Sequence, residues 1–242
     1  IGYLLLSLSV AQLLTTIVSF GFGERAFWNF LLSAVITAST GLYLVLRSGG
    51  AVQLKKRFLF LLTTLCWLSI CLFAALPLYL SIPDLSITDA WFETVSAITT
   101  TGSTVLSGLD TMPKAVLLWR AILQWIGGIG IIVMAIAILP ALKIGGMKLF
   151  KTESSDISEK ILPRSSSLST YILLVYLAIS SAAALSYAIG GMSWFDAITH
   201  AMTSAATGGF ANYDASFGHF NDKPWLLWLA SLWMMLAALP FV

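Results

Sequence analysis

The residues best placed to do chemistry lie in one segment, Asp89 to Leu106, which reads DAWFETVSAITTTGSTVL. Its run Thr99-Thr100-Thr101-Gly102-Ser103-Thr104 sits between two long apolar stretches, and what it offers is cation coordination rather than covalent catalysis. A turn of small polar residues at membrane depth can present carbonyl oxygens that replace the hydration shell of a cation. Gly102 supplies the positive φ or close packing that such a turn needs. Asp89 to Thr99 is too short and too polar to cross a hydrocarbon core of roughly 30 Å, which takes about 20 apolar residues. It can enter the membrane and return, and irregular backbone is tolerated there only where protein or a water-filled cavity surrounds it. The other reading makes TTTGST an ordinary outer turn.

A second segment of the same style, FDAITHAMTSAATGGF, covers Phe195 to Phe210 and again separates two apolar runs. Thr207-Gly208 reads as the counterpart of Thr101-Gly102, at a spacing of 106, whereas Asp89-Ala90 and Asp196-Ala197 match at 107, so the repeat is approximate. The expected filter carbonyls are those of Thr100, Thr101, Gly102 and Ser103 in the first loop. In the second they are those of Ala206, Thr207, Gly208 and Gly209. Short helices over Asp89–Ile98 and Asp196–Ala205 would descend from outside and aim their C-terminal ends, which carry partial negative charge, at the membrane centre. Asp89 and Asp196 suit the opposite ends of those helices.

The elements that must hold these loops are membrane spans. Hydrophobic residues make up 58% of the 242 residues and charged residues 10%, and the mean hydropathy is +0.91. These values belong to polytopic membrane proteins and not to soluble domains. Six spans are predicted, at Ile1–Phe20, Phe27–Leu46, Phe58–Leu80, Ala115–Leu139, Ser169–Ile189 and Lys223–Val242. No basic n-region precedes the first apolar run, so no signal peptide is expected. Arg47, Lys55, Lys56 and Arg57 mark one cytoplasmic loop, and Lys143, Lys148, Lys151, Lys160 and Arg164 another. The opposite side gathers Glu24, Asp84, Asp89, Glu93, Asp110, Asp196, Asp214 and Asp222, which either concentrate cations at an entrance or form a solvated surface. Both span–loop–span units start and finish on the cytoplasmic side, making them parallel repeats rather than the inverted repeats of many secondary transporters. The organisation read from this is an N-terminal helix pair with a basic loop (1–57), a first unit (58–142), a cytoplasmic linker (143–168) and a second unit (169–242).

Individual residues carry further expectations. Arg120, near the outer end of a span, either braces a pore loop through Glu93 or loop carbonyls or snorkels to the interface. Gly127-Gly128-Ile129-Gly130 permits close helix approach or serves as a hinge. Cys66 and Cys71 lack metal spacing and read as packing residues. His200 and His219 read as hydrogen-bonding or packing residues rather than ligands. Pro140 should break or end its span. Trp119, Trp125, Trp194, Trp225 and Trp228 read as interfacial anchors, and Ser165, Ser166 and Ser167 as a flexible entry to the fifth span. With no nucleophile–base constellation and no phosphate-binding loop, the chain does not read as an enzyme. A net charge of +2 gives no sign of a nucleic-acid partner.

The stretch AITTTGST followed by GLDTMPKAVLLWRAILQWIGGIGIIVMAIAILP, together with ATGGFANYDASFGHF, resembles the Trk/Ktr/HKT superfamily of potassium transporters, specifically its TrkH-type bacterial subunit. The resemblance covers most of the chain, including an extra N-terminal pair of spans. It implies an all-α polytopic membrane protein whose parallel span–pore-loop–span repeats surround a pseudo-fourfold ion pore in the bacterial inner membrane. It further implies potassium uptake, with the ion at the carbonyls of Thr100, Thr101, Ala206 and Thr207, and Gly102 and Gly208 as key filter glycines. A sodium-permeable relative is the close variant. Only two of the family's four units are present, so the chain resembles the N-terminal half of such a subunit, and it stops inside an apolar run as a truncated chain would. By the same resemblance no organic cofactor is expected, while a homodimer and a cytosolic nucleotide-binding ring, TrkA, are the expected partners, the latter at the basic loop Lys143 to Arg164.

Overall fold

Runs of Leu, Ile, Phe and Ala with few breakers give long helices here, and Ser, Pro and Gly punctuate them. The computed structural model describes residues 1–48, 56–142 and 165–239. In chain order its helices are α1 (Gly2–Gly21), α2 (Ala26–Arg47), α3 (Lys56–Ser81), α4 (Ile87–Ile98), α5 (Lys114–Leu142), α6 (Ser165–Ile189), α7 (Trp194–Ala205) and α8 (Pro224–Ala237). Helices α1, α2, α3 and α6 contain apolar windows long enough to cross a membrane. Helix α5 has 29 residues and is therefore about 44 Å long at 1.5 Å per residue. By contrast α4 and α7 have 12 residues each, about 18 Å, too short to cross.

The predicted spans agree with these helices to within a few residues, with two corrections. Ser165, Ser166 and Ser167 are the first turn of α6 rather than a flexible entry, so the linker read over 143–168 overlaps that helix. Helix α5 runs on to Leu142, two residues past Pro140. Residues 143–164, which carry the second basic loop, lie outside the described residues, as do 49–55 with Lys55 and the last three residues of the sixth span.

Helices α1 and α2 pair antiparallel through their small residues. A methyl group on Gly2 would stand 2.7 Å from Val45 and 2.8 Å from the Gly41 carbonyl, which only glycine permits. The helix pair is then fastened to the first unit by polar side chains reaching backbone carbonyls across the packed faces. Pro77 lies inside α3 and has no N–H to give the carbonyl four residues back, that of Phe73. Gln12 of α1 supplies the missing donor, Nε2 to Phe73 O at 3.1 Å. About two turns nearer the outer end, Asn29 of α2 donates to Leu80 O at 2.7 Å. Trp119 of α5 donates from its indole to Ala74 O at 2.9 Å and meets Phe30 edge-on.

Trp119 is thus fully buried, and Trp125 donates to Ser180 Oγ of α6 at 2.9 Å. Both are corrections to the reading as interfacial anchors: each is a packing residue that joins two helices. Trp194, Trp225 and Trp228 are exposed on the outside of the bundle, where a membrane would meet them. Cys71 is buried and Cys66 partly so.

If Gln12 compensates Pro77, the two substitutions are coupled. Gln12→Leu should lower the thermal midpoint of the detergent-purified protein by the equivalent of about 1 kcal/mol, and by much less in a Pro77→Ala background, where the restored N–H serves Phe73. Equal losses in both backgrounds would dismiss the compensation.

Candidate functional site

The two short helices α4 and α7 begin in the same way. Ser86 caps α4, its Oγ accepting from Asp89 N at 3.0 Å and donating to the Asp89 carboxylate at 2.7 Å. Ser193 and Asp196 repeat this at α7, at 3.1 and 2.7 Å. A reciprocal Ser-x-x-Asp cap satisfies free N–H groups and places an acid on the positive end of the helix.

They also end in the same way. Thr100 and Thr207 take φ of 56° and 54°, and Gly102 and Gly209 take 77° and 74°. Thr101 N and Gly208 N both donate at 2.9 Å, to Ser96 O and Thr203 O. Every one of these pairs is 107 residues apart, so the repeat is in register throughout. The counterpart of Gly102 is therefore Gly209, not Gly208, and Thr101 pairs with Gly208. Ala206 ends α7 in right-handed conformation and corresponds to Thr99. The left-handed turn of the second loop thus begins at Thr207, one residue after Ala206. A β-branched residue at positive φ is a strained conformation costing on the order of 1–3 kcal/mol, held only where its surroundings insist.

The loops are brought together behind and beside these turns. A methyl group on Gly102 would overlap the carbonyl oxygen of Gly208, so the two loops touch at their glycines. A cleft of about 220 Å³ runs past both left-handed threonines, lined also by Gly128, Ile172, Tyr176 and Ala206. Gly127 lets α5 close onto the Ile98 carbonyl at the end of α4, and Gly128 lets it approach Ala206 at the end of α7. Of the two readings of the glycine cluster, close approach is the one the contacts display.

Two side chains of the first unit bind the loops. Glu93, in the middle of α4 and fully buried, accepts from Thr104 Oγ1 at 2.8 and 3.0 Å and from Val105 N at 3.1 Å. Arg120 of α5, also buried, donates from Nε to Glu93 at 2.7 Å. Its Nη1 reaches across to Ala211 O at 3.0 Å, and its guanidinium lies 4.2 Å from the centre of the Phe210 ring. Arg120 therefore braces rather than snorkels, and it holds the far loop as well as the near one. Ser96 adds a hydroxyl to the Ser103 carbonyl.

The second unit is held differently. The position 107 residues after Glu93 is His200, whose Nδ1 meets Asp196 O at 2.8 Å among Phe217 and Phe220. Asp196 takes over the bracing, accepting from Asn212 at 2.8 Å and from the Tyr213 hydroxyl at 2.9 Å. Burial, with the neighbouring carboxylate, pushes the Tyr213 phenol up to about 12, so it remains a donor at physiological pH. On the outer side Asp214 accepts from Gly108 N at 2.9 Å and Leu109 N at 3.1 Å, and Asp110 accepts from Asp214 N at 3.1 Å. Glu24 accepts from Lys114 N and Ala115 N at the start of α5. These acids hold backbone rather than forming only a solvated face. Asn212, Asp110, Asp214 and Gln124 were not singled out in the sequence as site residues; the shared 107-residue spacing of Ser86/Ser193 and Asp89/Asp196 was the available signal for the register. Among the described residues no cluster of His, Cys, Asp and Glu is arranged to hold a metal.

Removing one partner of the buried pair strands the other charge. Arg120→Gln should destabilise the protein by about 3–5 kcal/mol, and adding Glu93→Gln should recover part of that loss. Thermal unfolding of the single and double variants checks this; a double variant no better than the single would refute the pairing as the cause.

Residues 26–242 match the family model described as TrkH, cation transport protein. The chain is 54% identical over 209 residues to the Trk system potassium uptake protein TrkI of Halomonas elongata, covering 86% of this chain and 42% of that protein. It is 42% identical over 188 residues to the Trk system potassium uptake protein TrkH of Escherichia coli, covering 76% and 39%. The crystal structure of the potassium transporter TrkH from Vibrio parahaemolyticus superposes with a TM-score of 0.87 at 36% identity, over 99% of this chain and 48% of that one. The chain spans about half the length of the relatives it matches. With a family model matched over most of its length and a shared fold at substantial identity, the chain belongs to the TrkH family of cation transport proteins.

Proposed function

We propose that the complete protein takes up potassium across the bacterial inner membrane through a channel-like pore, and that this chain supplies two of its four span–loop–span wall segments. The observation that carries the reading is the pair of strained Thr-x-Gly turns, Thr100 to Gly102 and Thr207 to Gly209, each at the C-terminal end of a short helix and both in contact. Helix C-terminal ends and converging carbonyls favour a bare cation. The ion-binding oxygens are the carbonyls of Thr100, Thr101 and Gly102 with those of Thr207, Gly208 and Gly209; Ser103 and Ala206 flank them. Arg120 and Glu93 support the pore from behind. No chemical step and no organic cofactor enter this mechanism. Selectivity comes from exchanging hydration water for carbonyls at a spacing fixed by the surrounding protein.

A sodium- and potassium-permeable transporter of the same superfamily is the alternative, and the glycine at position 102 favours potassium over it. A secondary transporter of a small anionic solute would need helix N-terminal ends turned toward the site; the turns lie at the C-terminal ends of α4 and α7. Two such proteins would pair as a homodimer in the bilayer, and a TrkA-like nucleotide-binding ring would dock from the cytosol, by family likeness.

The test is potassium against sodium flux into proteoliposomes holding the complete protein, with Gly102→Ser beside the wild type. Any side chain at 102 must push the Gly208 carbonyl aside, so the potassium preference should fall by about tenfold, the equivalent of ~1.4 kcal/mol of discrimination. Equal flux of the two ions, untouched by the substitution, would return TTTGST to the status of an outer turn.

A further inference from the structure

We propose that Gln124 is a specificity-determining positioning residue: it holds the second loop at a set distance from α5 and so fixes the gap between the two loops. The inference rests on the ion-pore reading above and names a residue that acts through others. Gln124 follows Arg120 by one turn on α5 and is fully buried. Its Oε1 accepts from Phe210 N at 3.2 Å, while Arg120 holds the next residue's carbonyl, Ala211 O. One face of α5 therefore grips two successive residues of the loop, one by its N–H and one by its C=O. Because only an oxygen can accept from the Phe210 N–H, that bond also fixes which way the amide faces.

The other side of the same amide is a wall. A methyl group on Gly208 would stand 2.5 Å from Gln124 Nε2 and 2.6 Å from Oε1, so the Gly208 backbone lies directly on the amide plane. Gly208 in turn presents its carbonyl oxygen to Gly102, and a methyl group on Gly102 would stand 3.7 Å from Nε2. The order of contact is α5, Gln124 amide, Gly208, Gly102. Any change in the length or shape of the side chain at 124 is passed to the gap between the loops, because nothing compressible lies between. The Nε2 hydrogens have no partner among the described residues, which is a cost in a buried site. An apolar side chain of similar length would avoid that cost but strand the Phe210 N–H, so the two effects partly offset, and what glutamine alone contributes is its acceptor and its flat amide.

The experiment uses the complete protein in proteoliposomes and reads the potassium-to-sodium flux ratio together with thermal stability. Gln124→Met keeps length and burial but loses the acceptor and the planar amide. Its thermal midpoint should fall only modestly, because the stranded Phe210 N–H is partly offset by the loss of the unpartnered Nε2, while the ratio falls about fivefold, the effect expected of one lost hydrogen bond at the filter. Gln124→Asn, too short to reach Phe210, should lower the ratio similarly and serves if the Met variant does not assemble. A potassium-selective wild type whose ratio neither substitution moves overturns the role of Gln124 and leaves the pore reading intact. Failure of both variants to assemble overturns it too, since a residue that only sets a gap is dispensable for folding. A wild type with no preference for potassium overturns the pore reading, and this inference with it.

Discussion

The buried bond between Arg120 and Glu93 is what the loop region depends on. Neither side chain touches water, and an unpaired charge in such a place costs several kcal/mol. The pair is tolerated because each member is used fully. Glu93 takes Thr104 and Val105 of the first loop in addition to the guanidinium; Arg120 takes Ala211 of the second and lies over Phe210. Two loops 107 residues apart in sequence thereby share one electrostatic anchor. Backbone that belongs to neither helix nor sheet would be intolerable at membrane depth without such partners.

The two units are equal in backbone and unequal in support. Caps, helix lengths and left-handed turns repeat at one spacing, yet the carboxylate that braces the loop sits mid-helix in the first unit and at the helix start in the second. His200 occupies the place of Glu93 and turns its ring inward among aromatic residues. A repeat of this kind keeps what the turn geometry requires and varies what merely holds it. The acids crossing between loops on the outer side, Asp110 and Asp214, tie the unequal halves together through backbone N–H groups.

Much of this was legible in the sequence, for reasons that differ by element. Long spans follow from hydropathy, which the bilayer makes almost a sufficient signal. The short helices α4 and α7 followed from length and polarity, and their C-terminal ends were placed correctly at Ile98 and Ala205. The register of the second loop was not legible from its glycines, because Gly208-Gly209 offers two candidates and the Thr-Gly pairing points to the wrong one; backbone conformation, not residue identity, decides. Trp119 and Trp125 look like interfacial residues along the chain, and only their partners Ala74 and Ser180, far away in sequence, show them to be internal. The Gln12 bond to Phe73 was hidden for a related reason: the free carbonyl is created by Pro77, and nothing local to Gln12 announces it.

The strained turns explain why so much polar structure surrounds so few loop residues. A threonine at positive φ relaxes unless its neighbours forbid it, and Thr100 and Thr207 each stand to release on the order of 1–3 kcal/mol by doing so. What forbids it is the set of bonds immediately around them: Ser96 and Thr203 carbonyls taking the following N–H groups, the Ser96 hydroxyl on Ser103, and Gln124 and Arg120 on Phe210 and Ala211. The glycines do the complementary work of letting the loops touch. On the proposed ion-pore reading, carbonyls that prefer one dehydrated cation over another of the same charge gain from this over-determination, because a loop free to relax would adapt its spacing to either ion. In this chain the strain, the glycine contact and the buried arginine are three parts of the same requirement, that the carbonyls stay where the backbone alone would not leave them.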